Sequence, residues 1–374
     1  MRTSSVEKRM KRIVVKIGSN IIAGAGAGLD MPVIDRIAGD ISSVVAGGNE
    51  VLVVSSGAVA AGMTKLGLKS RPGDIRLKQA AAAAGQSNLM WAYERAFSKF
   101  GRKVAQVLLT GDDFADRKRY LNAKNTMMTL LAYGIIPVIN ENDTVATDEI
   151  RFGDNDALAS LVAISSEADN LLILSDVDGL YSDDPKKNPR AELIALVEDI
   201  TPELEEAAGA AGSMVGTGGM ISKVKAAKKA VSHGIAVSII NGKKAGLLVP
   251  ATTGQQCGTL FRPRTNRPSQ RKGWIAYSSR AKGTLTLDEG AVFAITQGGK
   301  SLLPSGILSV EGDFETGDAV YCVTAWGKRI AKGLANYAAH DLRKIKGKKT
   351  REIEETLGYK YSDEAIHRDN LALI

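Results

Sequence analysis

With 374 residues, 44% hydrophobic and 24% charged, the chain can hold two domains, or one large α/β domain with an appendage, and its core needs no disulfide staple. Two distant cysteines, Cys257 and Cys322, give no zinc spacing and suit a reducing cytoplasm, while three scattered histidines, His233, His340 and His367, exclude a His-rich metal centre. A net charge of +8 favours anionic partners, 5% aromatic content leaves little for a base-stacking surface, and no apolar run reaches membrane-span length.

The opening MRTSSVEKRMKR is basic and lacks the apolar middle of a signal peptide, so residues 1–11 are expected to be a loose lead-in. RIVVKIG (12–18) reads as a strand entering a glycine turn, followed by a helix over 31–46. EVLVVSSGA (50–58) is a second strand ending in small polar residues. An alanine-rich helix is expected over 74–99, capped by Asp74 after Pro72. KVAQVLLT (103–110), a helix near 119–132 and GIIPVIN (134–140) continue the alternation. A helix begins near Asn155, NLLILSDVDGL (170–180) is a buried strand ending in a turn, a helix follows Gly218 and Gly219, and IAVSIING (235–242) is a further strand. Continuous apolar strands between helices predict a mainly parallel sheet covered on both faces over 12–262. FRPRTNRPSQRK (261–272) reads as a linker, placed at 263–280. Short strands and glycine turns then predict a small β-barrel-like domain over 281–374, including the basic run LRKIKGKKTREIEE (342–355).

In open parallel sheets, ligands bind at the carboxyl ends of the strands. Those ends deliver Lys16, Gly18 and Ser19, then Ser55, Ser56 and Gly57, then Asn140 to Asp143, then Ser175 and Asp176. A lysine in an apolar strand costs desolvation unless it meets an anion, so Lys16 is either a contact to a phosphoryl group or a lysine snorkelling at a sheet edge. SSGAVAAG (55–62) opens a helix whose free N–H groups attract carboxylate or phosphate; a plain turn explains its glycine but not its paired serines. GTGGMISK (216–223) lets backbone approach a ligand and adds Lys223, although it is neither a Walker A loop nor a dinucleotide fingerprint. SDVDGLYSDDP (175–185) is either a wall around a nucleotide or an ordinary connection. INENDTVATDEIRFGDNDA (139–157) concentrates acids and amides in a basic chain. That suits a metal, a substrate ammonium or lysines that must be held still; a solvated loop is the bland alternative, favoured for Asp148 and Glu149. Two lysines, two glycine-rich stretches and an acidic cluster make a phosphoryl-transfer kit, which needs positioning and cations rather than covalent chemistry.

Together VVKIGSN, VVSSGAVAAG, INENDTVAT, FGDNDALAS, SDVDGLY and GTGGMISK resemble the amino acid kinase family, and the tail resembles a PUA domain. The departures are small: Asn20 stands where the family often has Ser or Thr, and Ser175 where Thr is common. The resemblance implies a three-layer α/β/α sandwich with a mainly parallel sheet, followed by a small barrel-like domain. INEND with FGDND points within the family to members that phosphorylate the γ-carboxylate of L-glutamate. Lys16 and Lys223 are then expected to stabilise the transferring phosphoryl group, with Asp156 holding both. ATP is expected against Gly18, Ser19, Ser175, Asp176, Tyr181, Thr217, Gly218, Gly219, Met220, Ile221 and Ser222, and Mg2+ mainly on its phosphates rather than on a protein metal site. The acceptor is expected at Ser56, Gly57, Asn140, Asp143, Asp154 and Asn155, with acids and amide oxygens toward its ammonium. Asn155 N–H groups or the helix start at Ser56 and Gly57 are expected toward its α-carboxylate. The resemblance also implies inhibition by proline, a reductase that consumes the product, glutamate 5-phosphate, and a homodimer or homotetramer. The alternatives are kinases of the same fold acting on N-acetylglutamate, aspartate, carbamate or UMP, and RNA binding through the tail, which the kinase-like strand ends disfavour.

Overall fold

RIVVKI forms β1 (Arg12–Ile17), in which every residue after Arg12 is buried, as expected of a strand covered on both faces. The structure, a computed structural model, describes residues 10–24, 28–70, 72–146, 155–185, 187–210, 219–263, 272, 275–276 and 280–374. The chain divides into two compact units, Met1–Asp113 with Lys118–Arg267, and Phe114–Arg117 with Pro268–Ile374. Most of the expected linker at 263–280 lies outside the described residues.

The strands that follow β1 in the first unit are β2 (Glu50–Ser55), β3 (Lys103–Leu109), β4 (Ile135–Glu141), β5 (Asn170–Ser175), β6 (Leu196–Val197), β7 (Ala236–Asn241) and β8 (Thr259–Phe261). They form one sheet in the order β3-β4-β2-β1-β5-β7-β8-β6. All neighbours run parallel except β7 and β8, which are antiparallel. The sequence pattern missed that reversal because β6 and β8 are only two and three residues long. The helices are α1 (Ser19–Ile22), α2 (Met31–Ala46), α3 (Ala58–Lys65), α4 (Ile75–Ser98), α5 (Gly111–Ala115), α6 (Arg117–Ala132), α7 (Asn155–Ser165), α8 (Pro202–Ala210), α9 (Met220–Val231) and α10 (Leu248–Thr253). Asp74 caps α4 as expected, its side chain accepting from Leu77 N–H.

Strand alternation decides which layer each side chain meets. Ile13, Val15 and Ile17 join a core with Ile34, Ile37 and Ile41 of α2 and Leu89, Tyr93 and Phe97 of α4. Val14 and Lys16 therefore turn to the opposite face, where α7 and α9 pack together and α7 lies against β1. The result is helix, sheet, helix: the three-layer amino acid kinase architecture expected from the resemblance.

The second unit is built on a mixed five-stranded sheet of β9 (Ala281–Leu287), β10 (Ile307–Gly312), β11 (Ala319–Thr324), β12 (Arg329–Leu334) and β13 (Leu371–Leu373), in the order β10-β9-β11-β12-β13. Its own core includes Leu285, Val320, Tyr337, Leu342 and Ile366. Three helices, α11 (Glu289–Thr296), α12 (Ala339–Ile345) and α13 (Ile353–Leu357), were not anticipated from its strand-and-turn texture. Asp288 caps α11 by accepting from Ala291 N–H, and half of the basic run winds into α12 and α13 with Leu342, Ile345 and Ile353 inward. No helix among the described residues is long and apolar enough to cross a membrane.

Candidate active site

The carboxyl ends of β4, β2, β1 and β5 lie side by side in the sheet, so the polar residues that finish each strand share one edge. Lys16 is 3% exposed. Its Nζ lies 2.5 Å from Asp156 Oδ1. Asp156 is fully buried in the first turn of α7, where the helix dipole favours a negative charge. Its other oxygen, Oδ2, accepts from Lys223 Nζ at 3.2 Å and from Ser222 Oγ at 2.8 Å. Lys223 is 7% exposed on the first turn of α9. One carboxylate between two ammonium groups leaves the trio one positive charge in excess, in a place where water screens little. Gly18 belongs to this cluster: a Cβ there would stand 3.7 Å from Lys16 Nζ. The backbone entering α1 at Gly18 and Ser19 thus passes beside the lysine head.

A second cluster is organised by Asn155. Its Nδ2 donates to Ser55 O at 2.8 Å, Asn140 Oδ1 at 2.9 Å and Ser56 Oγ at 3.0 Å. The carbonyl of Ser55 can only accept, which fixes which end of the Asn155 amide is nitrogen. Asn155 Oδ1 accepts no hydrogen bond among the described residues. The Asn155 N–H groups expected toward a substrate carboxylate face Ser55, Asn140 and Ser56 here, and the amide oxygen is turned away from them. Gly57, at φ 109°, makes the left-handed turn into α3, and a Cβ there would meet Ile22 Cδ1 at 2.8 Å. Asp143 lies half-buried in the turn that follows β4.

On the far side of β1, Ser175 ends β5 and is buried, while Asp176 is exposed and meets Asn20 Nδ2 only at 3.5 Å. Tyr181 donates to Asp178 Oδ2 at 3.3 Å, and Asp178 Oδ1 accepts from Asn241 Nδ2 at 3.0 Å and pairs with Lys244 at 2.6 Å. The Lys244 and Asn241 hydrogen bonds hold the Asp178 carboxyl below its ordinary range, and burial followed by the Asp178 charge pushes the Tyr181 phenol up. Gly219 is the N-cap of α9, and Met220 and Ile221 form its first turn. Asp154, Thr217 and Gly218 lie outside the described residues, as do Asp148 and Glu149.

Three residues of α4, Gln79, Gln86 and Tyr93, bond to Ala146, Asn140 and Ser55 around the Asn155 cluster and were missed by sequence reading. Gln86 Oε1 accepts from Asn140 Nδ2 at 2.9 Å, and Tyr93 OH shares a 2.7 Å hydrogen bond with Ser55 Oγ. The signal that could have found them is a polar residue recurring every seventh position in an otherwise alanine-rich helix.

The amino acid kinase family profile matches residues 11–241, and the PUA domain profile matches residues 283–357. The chain is 53% identical over 365 residues to the glutamate 5-kinase of Syntrophotalea carbinolica, covering 98% of each protein. It is 52% identical over 374 residues to that of Geobacter metallireducens, covering all of both, and 50% identical over 371 residues to that of Geobacter sulfurreducens, covering 99% of this chain and 100% of that protein.

Proposed function

The chain belongs to the amino acid kinase family, and within it to the glutamate 5-kinases, and we propose that it transfers the γ-phosphoryl group of ATP to the side-chain carboxylate of L-glutamate. The observation that carries the mechanism is Asp156 buried between Lys16 and Lys223. A carboxylate oxygen of the substrate attacks the γ-phosphorus in line. The new O–P bond forms as the bond from phosphorus to the β,γ-bridging oxygen breaks, and ADP leaves with that electron pair. The acceptor is already ionised at neutral pH, so no general base is required. The work is electrostatic: Lys16 and Lys223 neutralise charge on the migrating group, and Asp156 keeps both heads from swinging away.

Asn155 Oδ1 and Asp143 suit the substrate ammonium, and the turn through Ser56 and Gly57 at the start of α3 suits its α-carboxylate. A free ammonium favours L-glutamate over an acetylated amine. ATP lies along Gly18, Ser19, Ser175, Asp176, Tyr181 and the segment that starts α9. Mg2+ would be carried by the ATP phosphates and would supply charge neutralisation there, while both oxygens of Asp156 face ammonium groups. Proline, which presents the same ammonium and carboxylate pair, competes at the acceptor pocket. The acyl phosphate hydrolyses readily, which calls for a reductase as the next step toward proline, and the family resemblance supports a cytoplasmic homo-oligomer.

The test is a hydroxylamine trap with ATP and Mg2+, offering L-glutamate, N-acetylglutamate and L-aspartate in parallel. The hydroxamate is expected with L-glutamate alone. Lys16→Met and Lys223→Met are each expected to lower kcat by about 100-fold or more. A product from N-acetylglutamate instead would overturn the ammonium reading, and full activity in either lysine variant would overturn the mechanism.

A further inference from the structure

Gln79, Gln86 and Tyr93 stand at seven-residue intervals on α4, two turns apart and on one helical face. Each is tied to a different piece of the acceptor side. Gln79 Nε2 donates to Ala146 O at 3.2 Å, in the turn that carries Asp143. Gln86 meets Asn140 at the end of β4, and Tyr93 meets Ser55 at the end of β2, whose Oγ also donates to Ser56 O at 2.8 Å. Gln86 and Tyr93 each bond to a residue of the Asn155 network, and Gln86 is the one whose partner, Asn140, meets Asn155 side chain to side chain.

We propose that Gln86 is a positioning residue of the acceptor site: by accepting from Asn140 Nδ2 it holds the Asn140 side chain in place against Asn155, whose amide receives the amino acid. An asparagine amide can rotate by half a turn at little steric cost, exchanging its oxygen and nitrogen. In the observed orientation Asn140 Oδ1 accepts from Asn155 Nδ2 and from Glu141 N–H, both at 2.9 Å. Rotated, Asn140 would set an N–H group against those two donors. Those two donors set the Asn140 amide, and Gln86 Oε1 accepts from its other end and anchors the side chain. With Asn140 locked, Asn155 Nδ2 keeps its acceptors and Asn155 Oδ1 stays turned away from them, free for an ammonium.

The other end of Gln86 indicates that this contact is what the residue is for. Its Nε2 is buried without a hydrogen-bond partner among the described residues. A buried, unsatisfied donor destabilises a fold, and an apolar side chain on this face would avoid the cost. Among the described residues, the bond that the Gln86 amide makes is the one from Oε1 to Asn140.

The inference rests on the acceptor assignment above, and steady-state kinetics of the full-length protein separate the two. Gln86→Met keeps the volume and removes the acceptor. It is expected to raise the KM for L-glutamate about tenfold while the KM for ATP and kcat stay within about twofold. The effect should vanish in an Asn140→Ala background, because a residue that acts through Asn140 has nothing left to act on. Gln86→Glu retains an oxygen toward Asn140 Nδ2 and is expected to hold the glutamate KM closer to wild type than Gln86→Met does. If Gln86→Met fails to fold, Gln86→Leu, which also removes the acceptor, is read instead alone and with Asn140→Ala, with the same non-additivity expected. An unchanged glutamate KM, an equal rise in both KM values, or multiplicative effects in the double variant would each overturn the proposal. No hydroxamate from wild-type protein and L-glutamate would overturn the acceptor assignment itself.

Discussion

Burying Lys16, Lys223 and Asp156 together costs desolvation that the ion pairs recover only in part, a cost in keeping with the proposed use of their charge in phosphoryl transfer. Removing Asp156 would take a shared carboxylate away from two buried ammonium groups. Another buried lysine has no place in the mechanism. Lys332 on β12 is 4% exposed, with its Nζ 5.3 Å from the centre of the Tyr321 ring and the Arg329 guanidinium 4.2 Å from the same ring. Burial, and then the Arg329 charge, lowers its pKa from 10.5 to about 8. Between those values the unfolded chain binds more protons than the folded one, so stability rises with pH across that window and the full penalty applies below it. Lys332→Met is therefore expected to raise the thermal midpoint at neutral pH. Its advantage over wild type should shrink as pH climbs from about 8 toward 10.5. Thermal scans across that range check this, and an advantage independent of pH would count against it.

At the scale of the element, α4 is held against α3 by two glycines that leave no room for a side chain. A Cβ at Gly62 would stand 1.7 Å from Ala81 O, and one at Gly85 would stand 1.9 Å from Ala58 O. The two helix backbones touch there, and the residue after Gly85 is Gln86. Gly85→Ala is expected to force the helices apart and lower the thermal midpoint by roughly 4–10 °C, with a rise in the glutamate KM as Gln86 leaves Asn140. Gly209→Ala in α8, where a Cβ meets nothing within 4 Å, is the control and should leave both unchanged or stabilise slightly. Helix α4 also marks the limit of pattern reading. Its span and its Asp74 cap were legible from local chemistry. The duties of Gln86 and Tyr93 were not, because their partners Asn140 and Ser55 lie 54 and 38 residues away. Helices α11 to α13 were missed for a related reason: they are five to eight residues long, too short for a helical period to stand out from the strands beside them.

At the scale of the whole molecule, every residue assigned to the reaction lies in the first unit, and the second has its own core. A chain ending at residue 262 is expected to keep hydroxamate formation, with kcat within about threefold of the full chain, leaving regulation or assembly as the business of the tail. A truncated chain that folds by circular dichroism yet makes no hydroxamate would place part of the catalytic machinery in the second unit. Local order along the chain determined much of this protein. Apolar runs such as RIVVKI and NLLILS specify buried parallel strands, because only side chains that avoid water can be covered on both faces. The polar residues closing those runs mark the edge at which open parallel sheets bind their ligands. The tertiary structure decided which of those residues meet: that Asp156 stands between lysines from β1 and α9, that Asn155 turns its N–H groups inward, and that α4 reaches Asn140. Hydrogen bonds and ion pairs act over about 3 Å, and only the packing of helices on the sheet brings groups so distant in the chain within that reach.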